Sequence, residues 1–353
     1  NRIAVSPMCQ YSAEDGSAND WHVQHLGSLS LSGAGLVIVE QTAVEPEGRI
    51  SHGCLGLYSD QNEAAFARIA ALCRRWGSAA LGIQLAHAGR KGSVKLPWQG
   101  GGPLTRDAGA WTTAAPSAVP FDNHWPVPRA LDEMGLARIR DAHVAAAKRA
   151  DRLGFELVEL LAAHGFLLHS FLSPVSNRRN DGYGGSLANR MRFPLEVAAA
   201  VRRAWPREKA LGVRITGSDW IAGAIDPDEA GVFARELREI GFDYVCVSSG
   251  GVSPQARPSV TPGYQVPFAT AVKKAAGIAV QAVGLIVDPH QAEAIVAEGR
   301  ADWVALARAF LDDPRWAWHA AEALGAEIAY APQYRRAHPD QWPGAATKAR
   351  RRG

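Results

Sequence analysis

The amino-acid sequence predicts an α/β fold, a (β/α)8 TIM barrel, on three observations. Eight short apolar or β-branched runs recur along the 353 residues. Amphipathic stretches ending at glycine separate several of them, and polar or cationic residues gather where the runs end. The runs are continuous rather than alternating, which marks strands buried on both faces of a parallel sheet. Helix, glycine and buried strand in repeated order is the rhythm of βαβ units.

The first run, RIAVSPM (2–8), has no charged-then-apolar leader before it, so no secretory signal is expected. AGLVIVE (34–40) is the second strand, and NEAAFARIAALCRRWG (62–77) is a helix ending at Gly77. ALGIQLA (80–86) is the third strand. Residues 92–130 follow it, rich in Gly, Pro and Trp and without helical period. A stretch of this length inside a compact domain reads as a lid or binding excursion, here on the catalytic face of a barrel. The helix at 136–154 ends at Gly154 and leads into the fourth strand, FELVELL (155–161). Strands at 211–216, 243–249, 278–284 and 302–307 complete the set, with a helix at 226–241 ending at Gly241. Gly77, Gly154 and Gly241 are each expected in the left-handed conformation that follows a helix end. One barrel domain is expected over 1–336, followed by a basic tail over 337–353 whose KARRRG (348–353) reads as solvated. A doubly wound sheet is disfavoured, because SPMCQYSAEDG after the first strand is not G-x-G-x-x-G and no Walker loop occurs.

Composition narrows the function classes. A net charge of +3 is too small to imply a nucleic-acid partner. No window approaches eighteen consecutive apolar residues, so no membrane span is expected. The cysteines at 9, 54, 73 and 246 lack zinc or iron–sulfur spacing, and a reducing cytoplasm suits them.

In a barrel, chemistry collects at the carboxyl ends of the strands. Those ends carry Cys9 with Tyr11, Gln41 with Thr42, QLAHAGRK (84–91), AHGF (163–166), Arg214, SSGG (248–251), Gly284 and Arg308. Gln84 and Arg214 lie within apolar strands and need polar partners in the barrel mouth. The ends of the last two strands are where barrels commonly bind phosphate. Gly284 permits close backbone approach there, and Arg308 can fork onto the anion. A phosphate-bearing cofactor with a deeper arginine suits flavin mononucleotide (FMN), whose anionic N1–C2=O edge calls for a cation such as Arg214. His164 begins a βα loop, whereas His169 reads as structural and His87 as a supporting residue. No third ligand accompanies His164 and His169, so no metal is expected.

SPMCQYSAEDG, IQLAHAGRK, AAHGFLLHSFLSPVSNRRNDGYGGSLANR and VALARAFLDDP resemble the Old Yellow Enzyme family of FMN-dependent ene-reductases, in its thermophilic-like branch. The resemblance runs from residue 1 to about 336. It implies that Pro7, Met8 and Cys9 lie along the isoalloxazine, with Cys9 tuning its potential. It places Ala43 and Gln84 on the pyrimidine side, Arg214 at the N1–O2 edge, and Gly284 and Arg308 at the phosphate. Ala307 stands where the family commonly has glycine beside that arginine. Tyr11 would flank the substrate, and Arg336 would enter a neighbouring subunit's site in a homodimer or dimer-based homotetramer. The implied reaction uses NADPH or NADH to reduce FMN, whose N5 then gives hydride to the β-carbon of an α,β-unsaturated carbonyl or related alkene.

The fourth strand departs from that pattern. The family has His-x-x-His, or His-x-x-Asn, with Tyr two residues later; this chain has Leu161, His164 and Phe166. One carbonyl anchor and the usual proton donor are therefore replaced. Loss of an anchoring hydrogen bond costs about 1–3 kcal/mol, roughly ten- to a hundredfold in rate. Loss of a general acid costs on the order of 10²–10⁴ unless water replaces it. The expectation is reductase-type flavin chemistry in an altered pocket. Desaturation or redox-neutral isomerisation of similar substrates is the alternative within the family. A catalytically silent flavoprotein, or a non-redox barrel isomerase or aldolase with Lys91 as base, stands outside it.

Overall fold

The computed structural model describes residues 1–345 and 347; KARRRG, 348–353, lies outside the described residues. The strands are β1 (Ile3–Val5), β2 (Leu36–Ala43), β3 (Ala80–Ala86), β4 (Ala114–Ala115), β5 (Arg129–Ala130), β6 (Leu157–Ala162), β7 (Ala210–Thr216), β8 (Tyr244–Ser248), β9 (Ala279–Val283) and β10 (Trp303–Leu306). All but β4 and β5 close into one parallel barrel in the order β1-β2-β3-β6-β7-β8-β9-β10. The eight predicted runs are these barrel strands. Between them lie α1 (Asp20–Ser30), α2 (Asp60–Trp76), α3 (Glu133–Arg152), α4 (Leu167–Leu172), α5 (Leu187–Ala204), α6 (Pro227–Ile240), α7 (Val266–Ala276) and α8 (Pro289–Ala297); α9 (Arg308–Asp312) and α10 (Trp316–Leu324) follow β10. No helix among the described residues is long and apolar enough to cross a membrane.

Local chemistry sets the helix ends. The Ser59 side chain accepts the Asn62 N–H, so α2 begins before the apolar period does. Asp226 accepts from the N–H groups of Asp228 and Glu229, with Pro227 opening α6. Gly154 and Gly241 are left-handed, with φ of +76° and +98°. Gly77 corrects the expectation: its φ is −74°, and its N–H donates to the Cys73 carbonyl at 2.8 Å while the chain runs on extended. A Cβ there would lie 2.6 Å from that of Ser30, so close approach of α1 explains this glycine better than handedness.

Within the barrel Ala4, Ile38, Leu157, Tyr244, Cys246, Val283 and Ala305 pack together as an apolar cluster. Gly212 makes room for the Tyr244 ring, since a Cβ would sit 2.1 Å from its Cε1. The Tyr244 hydroxyl donates to Glu159 Oε2 at 2.8 Å, and Gln84 Nε2 donates to Oε1 at 2.7 Å. Glu159 is thus the polar partner that Gln84 required. Burial pushes its carboxyl up, against the pull of Arg214, Gln84 and Tyr244.

Two buried histidines brace the turns that leave β3 and β6, and they are built alike. His87 Nδ1 accepts the Gly89 N–H at 2.9 Å, and its Nε2 lies 2.9 Å from Glu45 Oε1. His169 Nδ1 accepts the Gly165 N–H at 2.7 Å, and its Nε2 lies 3.2 Å from Asp219 Oδ1. An accepting Nδ1 leaves the ring proton on Nε2, facing the carboxylate. Both glycines are left-handed, with φ of +59° and +77°. A Cβ on Gly165 would come 2.4 Å from the Gly251 carbonyl oxygen, so this turn admits no side chain. Arg138 also binds Glu45. Burial opposes the charge on Glu45, yet the His87 hydrogen bond and the Arg138 guanidinium hold its carboxyl down at about 2.

The 92–130 excursion contains two short 3-10 turns, Pro97–Gln99 and Arg106–Ala108, and the β4–β5 pair. Arg90 fastens it to the barrel: Nη1 donates to the carbonyls of Val119 and Pro120 at 3.2 and 2.9 Å.

Two outcomes follow from this packing. Gly212→Ala should destabilise the fold by about 1–3 kcal/mol, by forcing the Tyr244 ring off its seat, as read by urea denaturation. The folded Glu45 carboxyl titrates at about 2 against 4.5 when unperturbed, so its stabilisation is complete above pH 4.5 and is lost as pH falls towards 2. The stability gap between wild type and Glu45→Gln should therefore narrow by on the order of 3 kcal/mol across that window. A gap independent of pH would contradict the brace.

Candidate active site

The carboxyl ends of the barrel strands form a mouth whose polar groups come from every side. After β1 the chain passes through Ser6, Pro7, Met8 and Cys9 to Tyr11, which takes a left-handed φ of +53°. Gln10 anchors this segment by donating its N–H to Glu40 Oε2 at 3.0 Å. Glu40 sits at the irregularity of β2 between Val39 and Gln41. Burial raises the Glu40 carboxyl, opposed by the hydrogen bond with His22. Burial, then Glu40 and Cys54, pushes the Cys9 thiol well up, so Cys9 is a thiol and not a thiolate. Tyr11 meets Trp98 edge to face at 6.2 Å, and burial raises its hydroxyl too.

Arg214 projects from β7, with Nη1 donating to Ser6 Oγ at 3.0 Å and Nε buried without a partner. His164, just past β6, holds a left-handed φ of +59°. Non-glycine residues in this region mark strain that the surroundings must support. Its N–H donates to Thr216 Oγ1 at 3.2 Å, and its Nε2 lies 2.7 Å from Ser248 Oγ. Burial, reinforced by Arg214 and Lys91, pushes the imidazole well below its ordinary value, so it is neutral. Leu161, 2% exposed, packs with Ala86, Ala163 and Phe166 into an apolar patch beside it.

His164, Arg214, Ser249, Gly284, Ala307 and Arg308 line one cavity of about 270 Å³. Gly284 has φ of +120°, and a Cβ there would stand 2.5 Å from Gln265 Nε2. Gln265 is itself fixed, donating to the Val283 carbonyl at 3.0 Å and accepting from Ser249 Oγ at 2.7 Å. Arg308 is exposed at the start of α9 and makes no hydrogen bond or ion pair among the described residues. A half-buried cation with a buried, free N–H and an unpaired surface cation therefore share one cavity, with a glycine in its wall. That donor set suits an elongated ligand with an anionic group.

Of the residues singled out from sequence, the structure brings His164, Arg214, Gly284, Ala307 and Arg308 to this cavity. Cys9, Tyr11 and Phe166 meet at a second cluster, against Ile50, Cys54, Ala88 and Val94. Met8 packs against the main core, and Gln84 is turned to Glu159. Ala43 is fully buried, its N–H on the Leu55 carbonyl and its own carbonyl taking the Leu57 N–H. Arg336 is exposed in the turn Pro332–Ala337 and is not part of the cavity wall. Sequence reasoning missed Glu159 and Glu40, and it named Ser248 only as part of SSGG, without its pairing to His164. Glu159 carried a usable signal, a lone acid inside the apolar FELVELL.

Comparison with known proteins gives the family and the fold. The NADH:flavin oxidoreductase / NADH oxidase family matches residues 1–327. An NADPH dehydrogenase of Geobacillus thermodenitrificans is 42% identical over 338 residues, covering 95% of this chain and 94% of that protein. An NADPH dehydrogenase of Listeria innocua is 41% identical over 339 residues, covering 96% and 95%. Among solved structures, morphinone reductase superposes with a TM-score of 0.77 at 27% identity, covering 93% of this chain and 87% of that one. A complex of morphinone reductase with tetrahydroNAD superposes with a TM-score of 0.75 at 27% identity, covering 94% and 88%.

The free N–H of Arg214, the unpaired Arg308 and the bare backbone at Gly284 fit FMN, a ligand with a phosphate at one end and an electron-rich ring edge at the other. The chain belongs to the NADH:flavin oxidoreductase / NADH oxidase family and is an NAD(P)H:flavin oxidoreductase of the Old Yellow Enzyme type, with FMN as cofactor and a nicotinamide as reductant.

Proposed function

We propose that this enzyme reduces electron-poor alkenes, such as enones, and that His164 is the one side chain that anchors the substrate oxygen. The carrying observation is the neutral His164 imidazole, lining the same cavity as Arg214 beside a patch, Leu161 and Phe166, that offers no hydrogen bond. Likeness to a protein named for reducing morphinone, a ketone by its name, supports a carbonyl-bearing acceptor. Bound FMN supplies the hydride chemistry.

The chain's own residues bind and orient. Arg308 and the Gly284 backbone hold the phosphate, and Arg214 faces the electron-rich ring edge. Pro7, Met8, Cys9, Ala43 and Gln84 line the ring. Cys9 stays a neutral thiol beside it, and Tyr11 flanks the substrate. His164 engages Ser248 through Nε2, and its Nδ1 has no partner among the described residues. One imidazole N–H towards the substrate oxygen stabilises the charge that develops there. Leu161 adds no second donor, and Phe166 carries no proton, so water supplies the α-proton. Residues 1–336 act as one domain with 92–130 as a wall of the pocket, and Arg336 completes the site of a second subunit in a homodimer or dimer-based tetramer.

A single anchor favours alkenes that are strongly activated on their own. Under anaerobic conditions, NADPH or NADH should bleach the flavin, and maleimide should restore its colour faster than 2-cyclohexenone. No bleaching by either nicotinamide would overturn the reductase reading. Bleaching that no alkene reverses would favour desaturation or isomerisation. Leu161→His with Phe166→Tyr should raise 2-cyclohexenone turnover by roughly ten- to a hundredfold. Arg308→Ala should weaken FMN binding by about tenfold or more, as read by flavin fluorescence on dilution.

A further inference from the structure

Lys91 sits where three loops meet, and its hydrogen bonds have no part in the proposed function. Its Nζ donates to the His164 carbonyl at 2.7 Å and the Gly251 carbonyl at 2.9 Å. The same ammonium lies 4.9 Å from the ring centre of Phe121 and 5.2 Å from that of Phe166, within cation–π range. Its neighbour Arg90 reaches the same loops, with Nη2 donating to the Val252 carbonyl at 2.6 Å. Two successive cations thus meet backbone carbonyls and aromatic faces, although Arg90 Nε stays buried without a partner. The His164 turn and the Gly251 loop touch: a Cβ on Gly251, at φ of +89°, would stand 2.8 Å from the His164 Cα. The strained His164 backbone therefore depends on what holds these two loops together, and Lys91 is the side chain bonded to both.

We infer that Lys91 is a positioning residue for substrate binding: by pinning the His164 carbonyl to the Gly251 loop, and to the excursion through Phe121, it sets the direction of the His164 imidazole. This rests on His164 as the substrate anchor. The charge acts in the same sense, because Lys91 stands with Arg214 and His169 among the groups that keep His164 neutral. Burial, and then Arg90, lower the Lys91 ammonium itself to about 8.

The test uses the FMN-loaded enzyme with Lys91→Met, which keeps the aliphatic stem, and Lys91→Arg, which keeps the charge and the donors. Lys91→Met should raise KM for maleimide by about tenfold with kcat within about threefold, and Lys91→Arg should restore most of it. In a cycle with His164→Ala, the Lys91→Met effect should vanish, because it acts through the imidazole. The His164 ring resonances should shift and titrate at higher pH in Lys91→Met, a readout that survives even if the alkene reading fails. Unchanged His164 resonances, or a KM effect that adds fully to that of His164→Ala, would overturn the inference. Should Lys91→Met not fold, Lys91→Gln, which keeps two donors without charge, replaces it in every arm.

Discussion

The mouth of this barrel depends on two sharp reversals, one after β3 and one after β6, each made at a left-handed glycine. A reversal at φ near +60 to +80° puts an N–H where no strand or helix can accept it. His87 and His169 accept those two protons through Nδ1, and a buried carboxylate behind each ring, Glu45 or Asp219, orients it. The two turns are also joined, since the Leu167 N–H donates to the His87 carbonyl at 2.9 Å. His164, Gly165, Gly89, Arg90 and Lys91 all inherit their positions from this arrangement. Four histidines of the mouth and its supports thus do different work: His164 faces the cavity, His169 and His87 brace, and His22 serves Glu40 on the far side.

Electrostatics at the mouth follow from what the barrel can and cannot bury. Arg214 is the cation of the interior, and Glu159 lies near enough for the two to feel each other. The Glu159 oxygens already accept from Gln84 and Tyr244, while Arg214 keeps a buried N–H unpartnered. A buried donor without an acceptor is costly in a finished core. It makes sense in a cavity that takes an electron-rich ligand. Arg308 repeats the pattern at the surface, where an unpaired guanidinium costs little and can capture phosphate.

Leu161, Ala86, Ala163 and Phe166 form an apolar patch in this otherwise polar mouth. Its side chains pack against one another and offer no hydrogen-bond donor. Polarity is left on the His164 side, and the Phe166 ring is kept in service as a face for the Lys91 ammonium. An aromatic ring without a hydroxyl suits that second duty as well as a tyrosine would.

Much of the architecture was legible in the chain before folding. Parallel strands buried on both faces leave continuous apolar runs, so all eight barrel strands stood out. Arg214, Gly284 and Arg308 were legible because a charge or a glycine at a strand end is anomalous wherever it occurs. Gly77 was misread because a glycine can answer either handedness or close approach, and local pattern does not separate them. Glu159, Ser248 and Lys91 were not readable as partners. Lys91 meets carbonyls 73 and 160 residues away, and the contact of Glu159 with Gln84 spans 75. The sequence by itself determined the barrel, which is written in residue type and local period, while its motifs, through their resemblance to a family, implied the cofactor class and marked Leu161 and Phe166 as departures. Only the tertiary structure decided which polar groups pair, which stay free and which histidine faces the cavity, because closing the barrel brings residues far apart in the chain within hydrogen-bonding distance.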